Sequence, residues 1–172
     1  MTESTDAVET PSNGSPVEGG RARAEADAAR RGVSVRIVER PAAGNLQEAA
    51  ALLGIEPSGI VKTLVVKRSD GTFLFALVPG GRKISWPKLR GLLSVNKLQL
   101  PDAAVALSAT GYERGTITPF GSTTAWPVVA DQSVAGRSLA MGAGEHGYSL
   151  FVEADDLISA FDATVADITD PE

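Results

Sequence analysis

Two apolar runs rich in β-branched residues, IVKTLVVKR (60–68) and TFLFALVPG (72–80), flank the tripeptide Ser69-Asp70-Gly71. An Asp-Gly step between two such runs is a strong short-range hairpin signal, because both residues tolerate the left-handed backbone that a tight turn demands. The chain must therefore be built around a sheet with this antiparallel pair in it. Val33, Val35 and Ile37, alternating with Ser34 and Arg36, predict a half-buried strand that Pro41 and Gly44 close. Further strands are expected at 127–130, near 138–141 and over YSLFVE (148–153). Helices are expected between them. RARAEADAARR (21–31) is rich in Ala and Arg and meets Gly32. Asn45 is placed to cap a helix in which Leu46, Ala49, Ala50 and Leu53 share a face and Gly54 marks the stop. Ser85 caps WPKLRGLL, with Pro87 tolerated in the first turn. Shorter helices follow at 101–110 and over DDLISAF, capped by Asp155 or Asp156. Strands in groups, without steady βαβ alternation, predict an α+β fold with a mixed or antiparallel sheet.

Residues 1–20 carry Ser, Thr, Gly, Pro and Glu without an aromatic, a composition unable to offset the entropy cost of ordering, so a disordered acidic tail is expected there and one domain over 21–172. The net charge of −5 opposes general nucleic-acid binding. Four acids and no basic residue lie in the first 20, so the remaining 152 residues sit near −1. Such a domain can hold a local basic patch at one RNA end but would not coat DNA. The chain has no cysteine, which excludes disulfides, thiolate zinc sites and cysteine nucleophiles. Neither a signal-peptide pattern nor a bilayer-length apolar run occurs, and the expectation is a soluble cytoplasmic protein without membrane contact.

Alternation along 60–67 puts Lys62 on one face with Ile60, Leu64 and Val66, opposite Val61, Thr63, Val65 and Lys67. A lysine in an apolar row must snorkel, find a partner or line a cavity that uses its charge. An edge-strand lysine that blunts aggregation is an equal alternative. Gly115-Thr-Ile-Thr-Pro119 with Phe120-Gly121 is a rigid loop able to aim backbone N–H groups at an anionic centre, although a plain turn explains its Gly and Pro as well. Gly142-Ala-Gly144-Glu-His146-Gly147 has three spaced glycines, but the strand behind it and the 25 residues remaining leave no room for a dinucleotide-binding unit. His146 is the only histidine, which excludes a site of several imidazoles and leaves acid–base work open beside simple exposure. No G-x-S-x-G elbow, Walker A, HExxH or EF-hand pattern is present.

An ordered set of short motifs resembles the YbaK/EbsC family over about residues 32–169. The set comprises Glu48-Ala-Ala, Leu53-Gly54-Ile55, Val61-Lys62-Thr63-Leu64, Thr110-Gly111-Tyr112, Gly115 to Gly121, Gly142 to Gly147 and Ala154-Asp155-Asp156-Leu157. The resemblance implies a mixed, barrel-like β-sheet surrounded by short helices, akin to the insertion domain of bacterial prolyl-tRNA synthetases. It implies deacylation in trans of mischarged tRNA, of the cysteinyl- or alanyl-tRNA for proline type, without metal or cofactor. Aminoacyl-tRNA is the implied partner, with an aminoacyl-tRNA synthetase as a possible second. Lys62 is implied as the essential catalytic residue, with Thr63 beside it at the pocket and Gly115 and Pro119 as the ends of the G-x-x-x-P loop; Thr118, Gly121, Gly142 and Gly144 are expected around the substrate, and His146 is added as a residue of a loop that approaches the pocket, not carried over by motif. Water, or a ribose hydroxyl assisting it, would attack the carbonyl. Many relatives carry Ser where Gly142 stands, and the segment from Arg40 to Asn45 lacks their aromatic residues, which leaves the amino acid open. A non-catalytic module that holds tRNA ends or an aminoacyl ligand is the alternative.

Overall fold

The computed structural model describes residues 19–172. The expected tail lies outside the described residues apart from its last two, and Gly20 already opens helix α1 (Gly20–Arg30). Ala24 and Ala28 are fully buried, so α1 is part of the core. The Asp-Gly hairpin forms as expected. Strand β2 (Val61–Arg68) pairs antiparallel with β3 (Phe73–Pro79), setting Lys62 opposite Val78 and Thr63 opposite Leu77. Gly71 takes φ 88°, and the Asp70 carboxylate accepts from both the backbone N–H and the hydroxyl of Thr72.

Parallel pairing then extends the sheet from β3 to β6 (Val128–Asp131) and on to β9 (Thr164–Ala166). On its other side β2 meets only the two-residue β5 (Leu98–Gln99), at Lys67 and Arg68. The Lys62 end of β2 is thus not covered by β5. A second, antiparallel sheet has the order β1 (Arg36–Glu39), β8 (Tyr148–Glu153), β7 (Ser138–Gly142). A bridge between Ile60 and Ala140 joins it to the first sheet. A third pairing links β4 (Arg82–Ile84) to β10 (Thr169–Pro171). The described strands form a mixed α+β arrangement of three sheets and not one closed barrel.

Alternation along β2 separates two cores. Val61 and Val65 join Phe75, Leu77, Leu139 and Leu150 between the two larger sheets. Val66 and Leu64 face the other way, toward Leu89 of α3 (Trp86–Leu93) and Leu98. Two expected caps are in place, Asn45 on α2 (Leu46–Leu53) and Ser85 on α3, and Asp102 caps α4 (Ala103–Thr110) in the same way. Two expectations need correction. β1 starts at Arg36 and not Val33, although Val33, Val35 and Ile37 do share the core side. The last helix, α5 (Ala154–Phe161), has Glu153 at its N-cap position; Asp155 lies in its first turn and accepts from Gly136 N–H at 2.9 Å. No helix among the described residues is long and apolar enough to cross a membrane.

Candidate functional site

Where the two larger sheets meet, the uncovered end of β2 forms one wall of a cavity of about 180 Å³. Lys62 and Thr63 both line it, although alternation points them to opposite faces, because the strand end is itself the wall. Ala140, Met141 and Gly142 of β7 form a second wall, and Gly115 and Ile117 a third. Ala49 and Leu53 of α2 line it as well, together with Arg40, Tyr148 and Ser149. The cavity mixes apolar side chains with Arg40, Lys62, Thr63, Tyr148 and Ser149 in its lining. Its volume is below the roughly 300–1,000 Å³ of sites that hold drug-sized ligands, so it suits a small acyl group and not a whole nucleotide.

Two polar groups in this cavity lack partners. Among the described residues, the Lys62 ammonium has no hydrogen bond or ion pair, and its residue is exposed. Thr63 is only 8% exposed, and its Oγ1 is a buried hydroxyl without a hydrogen-bond partner. An orphaned hydroxyl costs roughly 1–3 kcal/mol. The strand thus brings a solvated ammonium and a buried hydroxyl, unpaired among the described residues, to one cavity.

The 111–121 segment has neither helix nor strand, as its glycines and prolines predict, and it is held from behind. Tyr112 is fully buried and its hydroxyl donates to Phe120 O at 2.6 Å; burial pushes its pKa up to about 12. Helix α1 clamps the same segment. Arg23 donates to the carbonyls of Gly111 and Gly121, and Gly121 N–H donates to the Asp27 carboxylate at 2.9 Å. Burial alone would raise the Asp27 pKa, but the Gly121 N–H, Arg31 and Arg30 outweigh it and hold the carboxyl below its ordinary value.

The expected site residues thus fall into three groups. Lys62, Thr63, Gly115 and Gly142 come together around the cavity. Thr118, Pro119, Gly121 and Gly144 lie behind it. Thr118 Oγ1 donates to Met141 Sδ, and Gly144 N–H to Thr116 O at 2.8 Å. His146 is exposed and pairs with Glu113 at 3.0 Å, facing a separate outer groove. A Cβ on Gly142 would meet the carbonyl oxygens of Ile117 and Thr116 at 2.5 and 2.7 Å. The absence of a side chain at Gly142 is therefore what lets the 115–119 loop approach this closely. Sequence reasoning missed Ser149 and Tyr148, and it treated Arg40 only as part of a pocket-shaping segment. Arg40 and Ser149 meet because β1 pairs with β8, and the single signal in the sequence was a charged residue at the end of a strand.

Comparison with known proteins points one way. The family model described as an aminoacyl-tRNA editing domain matches residues 40–160. The proline–tRNA ligase of Bacillus licheniformis is 31% identical over 112 residues, covering 64% of this chain and 19% of the ligase. That of Geobacter sulfurreducens is 37% identical over 99 residues, covering 58% and 17%. The chain thus spans less than a fifth of these ligases. A solved structure of a candidate trans-editing enzyme for prolyl tRNA synthetase superposes with a TM-score of 0.81 at 25% identity, covering 88% of this chain and 97% of the other.

Proposed function

Since the chain belongs to the aminoacyl-tRNA editing domain family, we propose that it is a trans-acting deacylase that hydrolyses the ester of a mischarged aminoacyl-tRNA, of the alanyl- or cysteinyl-tRNA for proline type. The observation that carries this reading is the pairing, in one small cavity, of an unpartnered Lys62 and an orphaned Thr63 hydroxyl.

In this mechanism the aminoacyl group enters the cavity with its side chain against Ala49, Leu53 and Ile117. Water adds to the ester carbonyl, giving a tetrahedral oxyanion, and collapse of that intermediate re-forms the carbonyl as the bond to the ribose oxygen breaks. The released hydroxyl takes the proton, leaving free amino acid and intact tRNA. Lys62 supplies a cation to the developing negative charge. The Thr63 hydroxyl fixes the ester by a hydrogen bond it otherwise lacks. Thr116 N–H is already bonded to Glu113 O, and Pro119 has no N–H. Gly115 and Ile117 are the loop residues that line the cavity, and their amides are the oxyanion donors in this reading. Holding the ester between these groups converts an encounter with water into an oriented one.

The test is release of amino acid from a panel of mischarged tRNAs, led by alanyl- and cysteinyl-tRNA for proline. Multiple-turnover release from one of them, with correctly charged prolyl-tRNA untouched, is the expected result. Tight binding without release from any member would replace the deacylase with a tRNA-end binding module.

A further inference from the structure

The inner cavity has no room for the nucleotide to which an aminoacyl ester is joined, yet a second, wider groove of about 520 Å³ begins on the other side of Arg40 and Tyr148, which line both. We propose that this outer groove receives the 3′-terminal nucleotide of the tRNA, and that Arg40 is a substrate-positioning residue whose guanidinium binds that nucleotide's phosphate. The inference rests on the deacylase reading and adds to it a subsite and a residue.

Arg40 is held as such a role requires. Its backbone N–H donates to Gly147 O at 2.8 Å, and Pro41 follows it. Its Nε donates to Ser149 Oγ at 3.2 Å, and one terminal N–H to Pro41 O at 3.2 Å. Of a guanidinium's five N–H donors two are thereby used, and among the described residues the other three have no partner. No carboxylate lies within ion-pair distance of it there, although Glu39 lines the same groove. A guanidinium fixed through Nε with its terminal N–H groups open matches the planar, two-point geometry of a phosphate.

The rest of the groove suits a nucleoside. Tyr148 supplies aromatic surface, with its ring held from one face by Arg21, 4.0 Å from the centroid. His146 and Glu113 are paired with each other, and Glu39 is the remaining charge that lines the groove besides Arg40. The groove is therefore close to neutral, and binding depends on directed hydrogen bonds more than on attraction from a distance.

Two minimal substrates isolate the phosphate: 3′-O-alanyl-adenosine and its 5′-monophosphate, each assayed with wild type, Arg40→Ala and Arg40→Lys, with alanyl-tRNA for proline alongside. Wild type is expected to favour the phosphorylated ester about 10- to 100-fold in kcat/KM, as KM, the effect of one charge-assisted phosphate contact. Arg40→Ala should bring the two esters to within about 3-fold of each other in kcat/KM, through a raised KM for the phosphorylated one; Arg40→Lys should restore part of the preference. On alanyl-tRNA, Arg40→Ala should raise KM with kcat held. Equal loss on both esters, or a phosphate preference that survives in Arg40→Ala, overturns the assignment while leaving the deacylase intact. If the minimal esters prove inert, an unchanged KM for alanyl-tRNA in Arg40→Ala overturns it in the same way. Wild type inactive on every ester overturns the deacylase reading and this inference with it.

Discussion

Replacing Thr63 by Val should make the protein more stable and a poorer enzyme at once. The exchange keeps the branched shape and replaces the hydroxyl by a methyl at a site only 8% exposed, inside a well-formed β2–β3 pair. In the native chain that hydroxyl is buried without a partner. Its desolvation is worth roughly 1–3 kcal/mol, and part of this returns when an apolar group takes its place. A net gain of about 1 kcal/mol follows, which for a domain of this size raises Tm by about 2–4 °C. If the hydroxyl is kept for a hydrogen bond to the ester, losing it costs about 0.5–1.5 kcal/mol of transition-state binding, or about 2- to 10-fold in kcat/KM. Thermal unfolding of both proteins, read beside deacylation of the same mischarged tRNA, tests the two halves together. A Thr63→Val protein that is less stable and fully active would refute the reasoning, because the hydroxyl would then have an internal structural role.

Gly142→Ala places a methyl about 2.5 Å from Ile117 O, and the loop must retreat; a loss of roughly 1–3 kcal/mol in denaturant unfolding and at least about 10-fold lower kcat are expected. Asp27→Asn removes the charged partner of Arg30, Arg31 and Gly121 N–H and should cost about 2 kcal/mol of stability by the same measurement. The pH dependence follows from the depressed Asp27 pKa. Its contribution is fully present above the ordinary value of 3.8 and is lost as the pH falls through the lower folded value, so wild type should lose stability below pH 3.8 more steeply than Asp27→Asn. Tyr112→Phe deletes the bond to Phe120 O and should lower stability by about 1 kcal/mol while activity falls through a loosened 115–119 loop.

Local signals made much of the fold legible. The Asp-Gly turn, the Asn45 and Ser85 caps and the Gly54 stop each depend on residues within a few positions, so sequence alone carries them. The short strands β4, β5, β9 and β10 were not legible, because two or three residues have no periodicity of their own and exist only through pairing. The site divides in the same way. Lys62 stood out by breaking an apolar alternation, whereas Arg40 and Ser149 are 109 positions apart and are joined by strand pairing. The glycines looked alike in sequence but differ in space. Gly115 has φ 91° and lines the cavity, Gly121 sits against Tyr112 and Arg23, and Gly144 packs on Gly20 of α1. Spacing cannot tell a glycine needed for its backbone from one needed for a close approach.

The most direct test is the single-turnover rate of ester hydrolysis by wild type and Lys62→Ala on the mischarged tRNA that wild type cleaves best, with Tm measured on both proteins. Lys62 is exposed and unpartnered among the described residues, so Tm should stay within about 3 °C, whereas the rate should fall at least about 100-fold, the scale of losing a group that stabilises developing charge. A Lys62→Ala protein that hydrolyses the ester at the wild-type rate would contradict the account at its centre.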